Sequence, residues 1–177
     1  MSLTLRFLGT SASRPTVERN VSSLAVIREG ETLMFDCGEG TQRQMMRYGI
    51  SFSLCDIFFT HMHADHMLGV IGLLRTLALQ GRTEPMTLYG PEGSEKMLWR
   101  AILLGSEKQH FEIKVLEVSP ETPLKRRGYS IIPFPVEHGD RRGNRVSHHR
   151  RNPARQIQPG KGQGDGNPRR TAVGQDP

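Results

Sequence analysis

His61-Met62-His63-Ala64-Asp65-His66 sets four ligand-type side chains within six positions of this 177-residue chain. In an extended segment, residues two apart share a face, so His61 and His63 can address one cation. Imidazole nitrogen and carboxylate oxygen both suit zinc. A turn into a helix after His63 lets Asp65 and His66 face a neighbouring position. Four ligands are more than one tetrahedral ion conveniently takes from so short a stretch, and two ions about 3.5–4 Å apart use them better. A lone histidine is usually structural, and Asp65 alone would most simply cap a helix. Three histidines and an aspartate at this spacing are hard to explain by packing. The chemistry implied is hydrolysis by a metal-activated water.

Other residues are weighed against this cluster. His138 follows an apolar run at 130–136 and precedes Gly139, so a strand end can aim it at the same site. Asp36 ends another apolar run and suits a supporting role, orienting the metal loop. His110 has no ligand-type neighbours and reads as a surface residue. His148 and His149 lie in a polar stretch and are not read as a site. Cys37 and Cys55 make no disulfide framework and read as reduced, buried thiols.

The elements that must hold these residues read as an α/β unit over 1–139. Residues 3–8 alternate at period two, as a half-buried strand does. Strands at 23–27 and 32–35 are joined through Glu29-Gly30, a good hairpin turn. The apolar run 57–60 leads straight into the histidines. Met67, Val70, Ile71, Leu74, Leu77 and Ala78 are spaced for a helix over 67–79. Residues 86–89 read as a strand stopped by Gly90-Pro91, residues 94–104 as a helix, and 111–118 and 129–136 as further strands. Antiparallel strands first and strand–helix alternation afterwards suit a layered sheet with helices packed outside.

The character changes after Gly139. Residues 1–139 hold 15 basic and 15 acidic side chains, whereas 140–177 hold 9 basic and 3 acidic, so the net charge of +6 belongs to the tail. That tail has no aromatic residue and only Val146, Ile157 and Val173 as large aliphatics. It cannot bury enough apolar area to offset ordering entropy and reads as a disordered basic tail. A basic patch suits RNA binding, but here it cannot be credited to the folded part. No run approaches the ~18 apolar residues of a membrane span, and the first residues lack the pattern of a secretory signal. A cytoplasmic protein is expected.

The motif at 61–66 resembles the signature of the metallo-β-lactamase superfamily, which implies an αββα sandwich with metals at one edge. Two longer segments narrow the resemblance to the ribonuclease Z family. One is Leu8-Gly9-Thr10-Ser11-Ala12-Ser13-Arg14-Pro15-Thr16-Val17-Glu18-Arg19-Asn20; the other is Phe35-Asp36-Cys37-Gly38-Glu39-Gly40-Thr41-Gln42-Arg43-Gln44. The resemblance covers 1–139, about the first half of a typical member. It implies that His61, His63 and His138 hold one Zn2+, that Asp65 and His66 help hold a second, and that Asp65 also accepts a proton from the attacking water. The implied reaction is hydrolytic removal of the 3′ trailer from precursor tRNA, by an enzyme that commonly works as a homodimer.

The chain departs from that family after Gly139. The family's later bridging aspartate and final histidine have no counterpart, since Asp140, Asp165 and Asp176 lack strand contexts. The second metal position is then incomplete, and the fold expected is a partial sandwich. Resemblance, apolar patterning and charge balance all end at one point. The tail therefore reads as an out-of-frame translation of a GC-rich gene, which favours Arg, Gly and Pro codons. The rival reading is a natural short variant whose arginines contact RNA phosphates.

Overall fold

The computed structural model describes residues 2–104 and 110–136. Six strands form one sheet in chain order: β1 (Leu3–Gly9), β2 (Ser23–Arg28), β3 (Glu31–Phe35), β4 (Asp56–Phe58), β5 (Met86–Pro91) and β6 (Ile113–Val118). The first three pair antiparallel and the last three join in parallel. This matches the change of grammar seen in the sequence. The β2–β3 turn works because Glu29 and Gly30 both take positive φ, 49° and 89°, as a two-residue hairpin turn matched to strand twist requires.

Helices fill the parallel crossovers: α1 (Thr41–Tyr48), α2 (Ala64–Met67) with α3 (Gly69–Leu79), and α4 (Glu95–Ile102). They cover one face of the sheet. Met45, Leu73, Leu77 and Leu98 from the helices pack with Ala25, Met34, Ile57 and Leu88 from the strands, all fully or almost fully buried. The opposite face carries Leu33, Phe35, Phe58, Tyr89 and Val118. Over part of it lies a hairpin, β7 (Leu124–Arg126) with β8 (Tyr129–Ile131). A polar clasp holds this hairpin. Arg126 Nη2 donates to Asp56 Oδ2 at 2.9 Å and to the Tyr89 hydroxyl at 2.8 Å, while the Tyr129 hydroxyl donates to Glu31 Oε2 at 2.7 Å.

Several elements differ from the sequence reading. Helix α1 was not anticipated, because Met45 is its one buried large apolar residue and no stripe announces it. The helix expected over 67–79 is broken at Leu68. Gly69 approaches the 37–38 backbone so closely that a Cβ there would meet Gly38 O at 1.9 Å. Its N–H donates to Cys37 O at 2.9 Å. Strand β5 runs through Gly90-Pro91, because β4 pairs only as far as Tyr89 and the N–H that Pro91 lacks falls beyond its end. Strand β8 stops at Ile131, since Pro133 and Pro135 remove alternate donors from the run beyond it. Strand β1 is not half-buried: Leu3, Leu5 and Phe7 are 64, 53 and 60 % exposed. Cys55 is exposed rather than buried, whereas Cys37 is buried.

Candidate metal centre

The 61–66 motif lies where β4 leaves the sheet. Phe58 is stacked between Phe35 and Tyr89, at 5.1 and 4.5 Å between ring centroids. The next amide, Phe59 N–H, donates to Tyr89 O at 2.7 Å. From this fixed point Thr60 and His61 emerge, and His63 stands at the N-cap of α2 in extended conformation. Asp65 is therefore inside the first turn and is not the cap. Two backbone bonds fasten α2 and the start of α3 to the loop after β3: Cys37 N–H to His66 O at 2.7 Å and Gly69 N–H to Cys37 O at 2.9 Å.

Asp36 is the hub of the polar network. It is buried, and its φ of 57° is a left-handed conformation uncommon for a side-chain-bearing residue. Its Oδ1 accepts from Thr60 N–H at 2.9 Å and from the Thr60 hydroxyl at 2.9 Å. Its Oδ2 accepts from the Ser22 hydroxyl at 3.0 Å and from His66 Nδ1 at 2.6 Å. That last bond fixes the His66 ring and leaves Nε2 facing Asp65, 3.5 Å from its Oδ2. Asp65 Oδ2 also accepts the Ser13 backbone N–H at 2.7 Å, across 52 positions of sequence.

The remaining histidines form a chain of contacts. Thr60 Oγ1 lies 3.0 Å from His61 Nδ1, and His61 Nε2 lies 3.0 Å from His63 Nδ1. One proton assignment satisfies these hydrogen bonds together. The Thr60 hydroxyl donates to Asp36 and accepts from His61 Nδ1–H, and His61 Nε2 accepts from His63 Nδ1–H. The His61 and His66 rings are 4.0 Å apart. Burial alone would lower the pKa of His66, but the bond to Asp36 and the charges of Asp36 and Asp65 raise it above the ordinary value. For Asp65, burial pulls upward. The Ser13 amide, with His66 and His61, prevails and holds the carboxyl below the usual range. Burial pushes the Cys37 thiol up to about 12.

The donors fit a divalent cation by type. His66 has one nitrogen tied to a carboxylate and the other exposed to the site, the arrangement that orients metal-binding histidines. His61 Nε2 and His63 Nδ1 form one donor pair, and Asp65 Oδ2 and His66 Nε2 a second. Among the described residues no three such groups converge as a finished cage. His61 and His63 point at one another and share a proton that a cation bound to both must replace. His138 lies outside the described residues, as do Asp140, His148, His149, Asp165 and Asp176. His110 is exposed.

Sequence reading anticipated the supporting part of Asp36 but missed Ser13, Ser22 and Thr60. Thr60 adjoins His61 and was within reach. Ser13 acts through its backbone, which leaves no side-chain signature.

A family model described as "Anti-Pycsar protein Apyc1" matches residues 3–137. Ribonuclease Z of Gemmatimonas aurantiaca is 58 % identical over 139 residues, covering 78 % of this chain and 44 % of that protein. The crystal structure of human tRNase Z, short form, is 38 % identical with a TM-score of 0.58, over 65 % of this chain and 46 % of that one. A metallo-β-lactamase fold protein of Bacillus subtilis, 17 % identical, superposes with a TM-score of 0.62 over 77 % of this chain and 55 % of that one. The chain thus spans less than half the length of the curated relatives it matches.

Proposed function

Since this chain belongs to the family described as Anti-Pycsar protein Apyc1, has the metallo-β-lactamase fold and is similar to ribonuclease Z, we propose that it carries the first part of a zinc-dependent endoribonuclease site that removes the 3′ trailer from precursor tRNA. The observation that supports this reading most is the pair of fixed groups, His66 held by Asp36 and Asp65 held by the Ser13 amide. In the proposed site His61 and His63, with His138, hold one cation, and Asp65 and His66 contribute to a second. Bound zinc acidifies a water molecule and neutralises charge on a phosphodiester. Asp65, kept ionised by its neighbours, accepts the proton of the attacking water. Asp36 and Thr60 hold the histidine rings in their working orientation. The proposed enzyme works as a cytoplasmic homodimer. No helix of the described residues is long and apolar enough to cross a membrane.

The test is cleavage of a precursor tRNA by the purified chain with added zinc. The expected product is tRNA with a 3′-hydroxyl directly after the discriminator nucleotide. Asp65→Ala is expected to slow cleavage by about 10²–10⁴-fold, the usual worth of a positioned general base.

Two other readings stand beside this one, and an observation favours the first. Leu3, Leu5, Phe7 and Leu116 are exposed on the thinly covered sheet face, and a cleft of about 300 Å³ runs between Phe58, Val118 and Phe134 beside His61. These suit a metal-poor, inactive fragment, which would show one zinc or none per chain and no cleavage. The other is a different phosphodiesterase of this fold, which would hydrolyse a chromogenic phosphodiester but leave precursor tRNA intact. For 140–177 the reading of an out-of-frame segment is tested in the coding DNA. Another frame is expected to resume strand patterning with an Asp and a His in ligand contexts. If neither alternative frame does so, that reading is wrong.

A further inference from the structure

We propose that Ser13 is a positioning residue, whose backbone N–H fixes the Asp65 carboxylate at the metal centre. The proposal rests on the reading that Asp65 serves that centre. The bond is short, 2.7 Å from Ser13 N to Asp65 Oδ2, and joins the loop after β1 to the first turn of α2. The loop is built to present that amide. Ser13 has φ of 62°, and Arg14 N–H closes a three-residue turn onto Ala12 O at 2.7 Å. Such a turn with positive central φ is rare and strained for an ordinary residue. The Ser11 hydroxyl ties it to Arg14 O at 2.7 Å. The loop's stem is pinned where the amides of Thr10 and Ser11 both donate to Asn20 O, at 2.9 and 2.8 Å. Gly9 lets the two arms touch, since a Cβ there would meet Val21 O at 1.7 Å. The Ser13 side chain is exposed, so the burial of a hydroxyl does not account for the conformation. The Asp65 contact accounts for it.

Without this donor, Asp65 Oδ2 keeps its longer contact with His66 Nε2 but loses the short bond that sets its rotation. Ser13→Pro deletes the N–H and forces φ negative. Ser13→Gly keeps the N–H and accepts positive φ freely. Zinc affinity, read by competition with a chromophoric chelator, separates them. Ser13→Pro is expected to weaken zinc binding by about 10–100-fold, the range for lost outer partners of a metal ligand. Ser13→Gly is expected to match the parent chain. In an Asp65→Ala background Ser13→Pro should add no further loss. Parental zinc affinity in folded Ser13→Pro, or an undiminished loss in the Asp65→Ala background, overturns the proposal. Should Ser13→Pro fail to fold by circular dichroism, Ser13→Val decides. It keeps the N–H but resists positive φ, so affinity below the parent supports the proposal and equal affinity overturns it. A parent chain that takes up no zinc fails at the metal reading itself, and this proposal falls with it.

Discussion

Both faces of the six-stranded sheet carry an apolar cluster, but the described residues cover them very differently. One is sealed by α1, α3 and α4, with Met34, Ile57, Leu73, Leu88 and Leu98 inaccessible to solvent. The other stacks Phe35, Phe58 and Tyr89, yet among the described residues it is covered only by the β7–β8 hairpin and the segment to Val136, which leave Leu3, Leu5 and Phe7 exposed. The metal loop is fastened to the sealed side. Cys37 bonds to His66 and to Gly69 through backbone alone, and Gly69 sits directly on Gly38. The sealed face thus anchors α2 and α3, while the Phe35–Phe58–Tyr89 stack on the other face fixes the point from which His61 emerges.

Substitutions at matched apolar residues give the largest contrast. Leu88→Ala, on the sealed face, is expected to lose about 2–5 kcal/mol of stability in denaturant titration. Leu5→Ser, on the open face, should change it by no more than about 0.5 kcal/mol. Comparable losses at both positions would break the comparison, since Leu5 would then have to be covered in solution.

A smaller loss is expected at the clasp under the hairpin. Arg126→Ala removes two hydrogen bonds and leaves partly buried Asp56 without its cation. An expected loss of about 1–3 kcal/mol follows from stranding a buried polar group. Burial already raises the Asp56 pKa, against the opposing pull of Arg126. A carboxyl with a raised folded pKa contributes stability below its unfolded pKa and loses that contribution as pH rises through the folded one. Taking Arg126 away raises Asp56 further. The Arg126→Ala penalty should therefore be greatest near neutral pH and shrink toward about pH 4. Urea titrations at several pH values check this, and a penalty that grows on acidification would contradict it.

Much of this architecture was legible in the sequence, for identifiable reasons. Glu29-Gly30 marked its hairpin because few dipeptides take two positive φ values. The ligand cluster was legible because His61, His63, Asp65 and His66 are close in sequence. The contrast between faces was not: Leu3, Leu5 and Phe7 alternate as any half-buried strand does, and alternation tells which side is apolar but not whether anything covers it. The contacts of Asp65 with Ser13 and of His66 with Asp36 were hidden by separations of 52 and 30 positions. The end of β8 was legible in principle from Pro133 and Pro135, but the apolar residues between them outweighed that signal.

The smallest effect concerns the cysteines. Cys55 is exposed and should be alkylated in the native protein at neutral pH. Cys37, buried and pushed up to about 12, should react only after unfolding. Mass spectrometry counts one modified thiol before denaturation and two after. Two in the native state would mean that the loop carrying Asp36 opens.

The loop leaving β4 brings together His61, His63, Asp65 and His66, donors whose type suits a divalent cation. Zinc content per chain after equilibrium dialysis, measured for the parent and for His61→Ala/His63→Ala, tests this most directly. At least one zinc per parent chain, lost in the double variant, is the predicted result. A parent chain without zinc, or a double variant that keeps it, would contradict the claim.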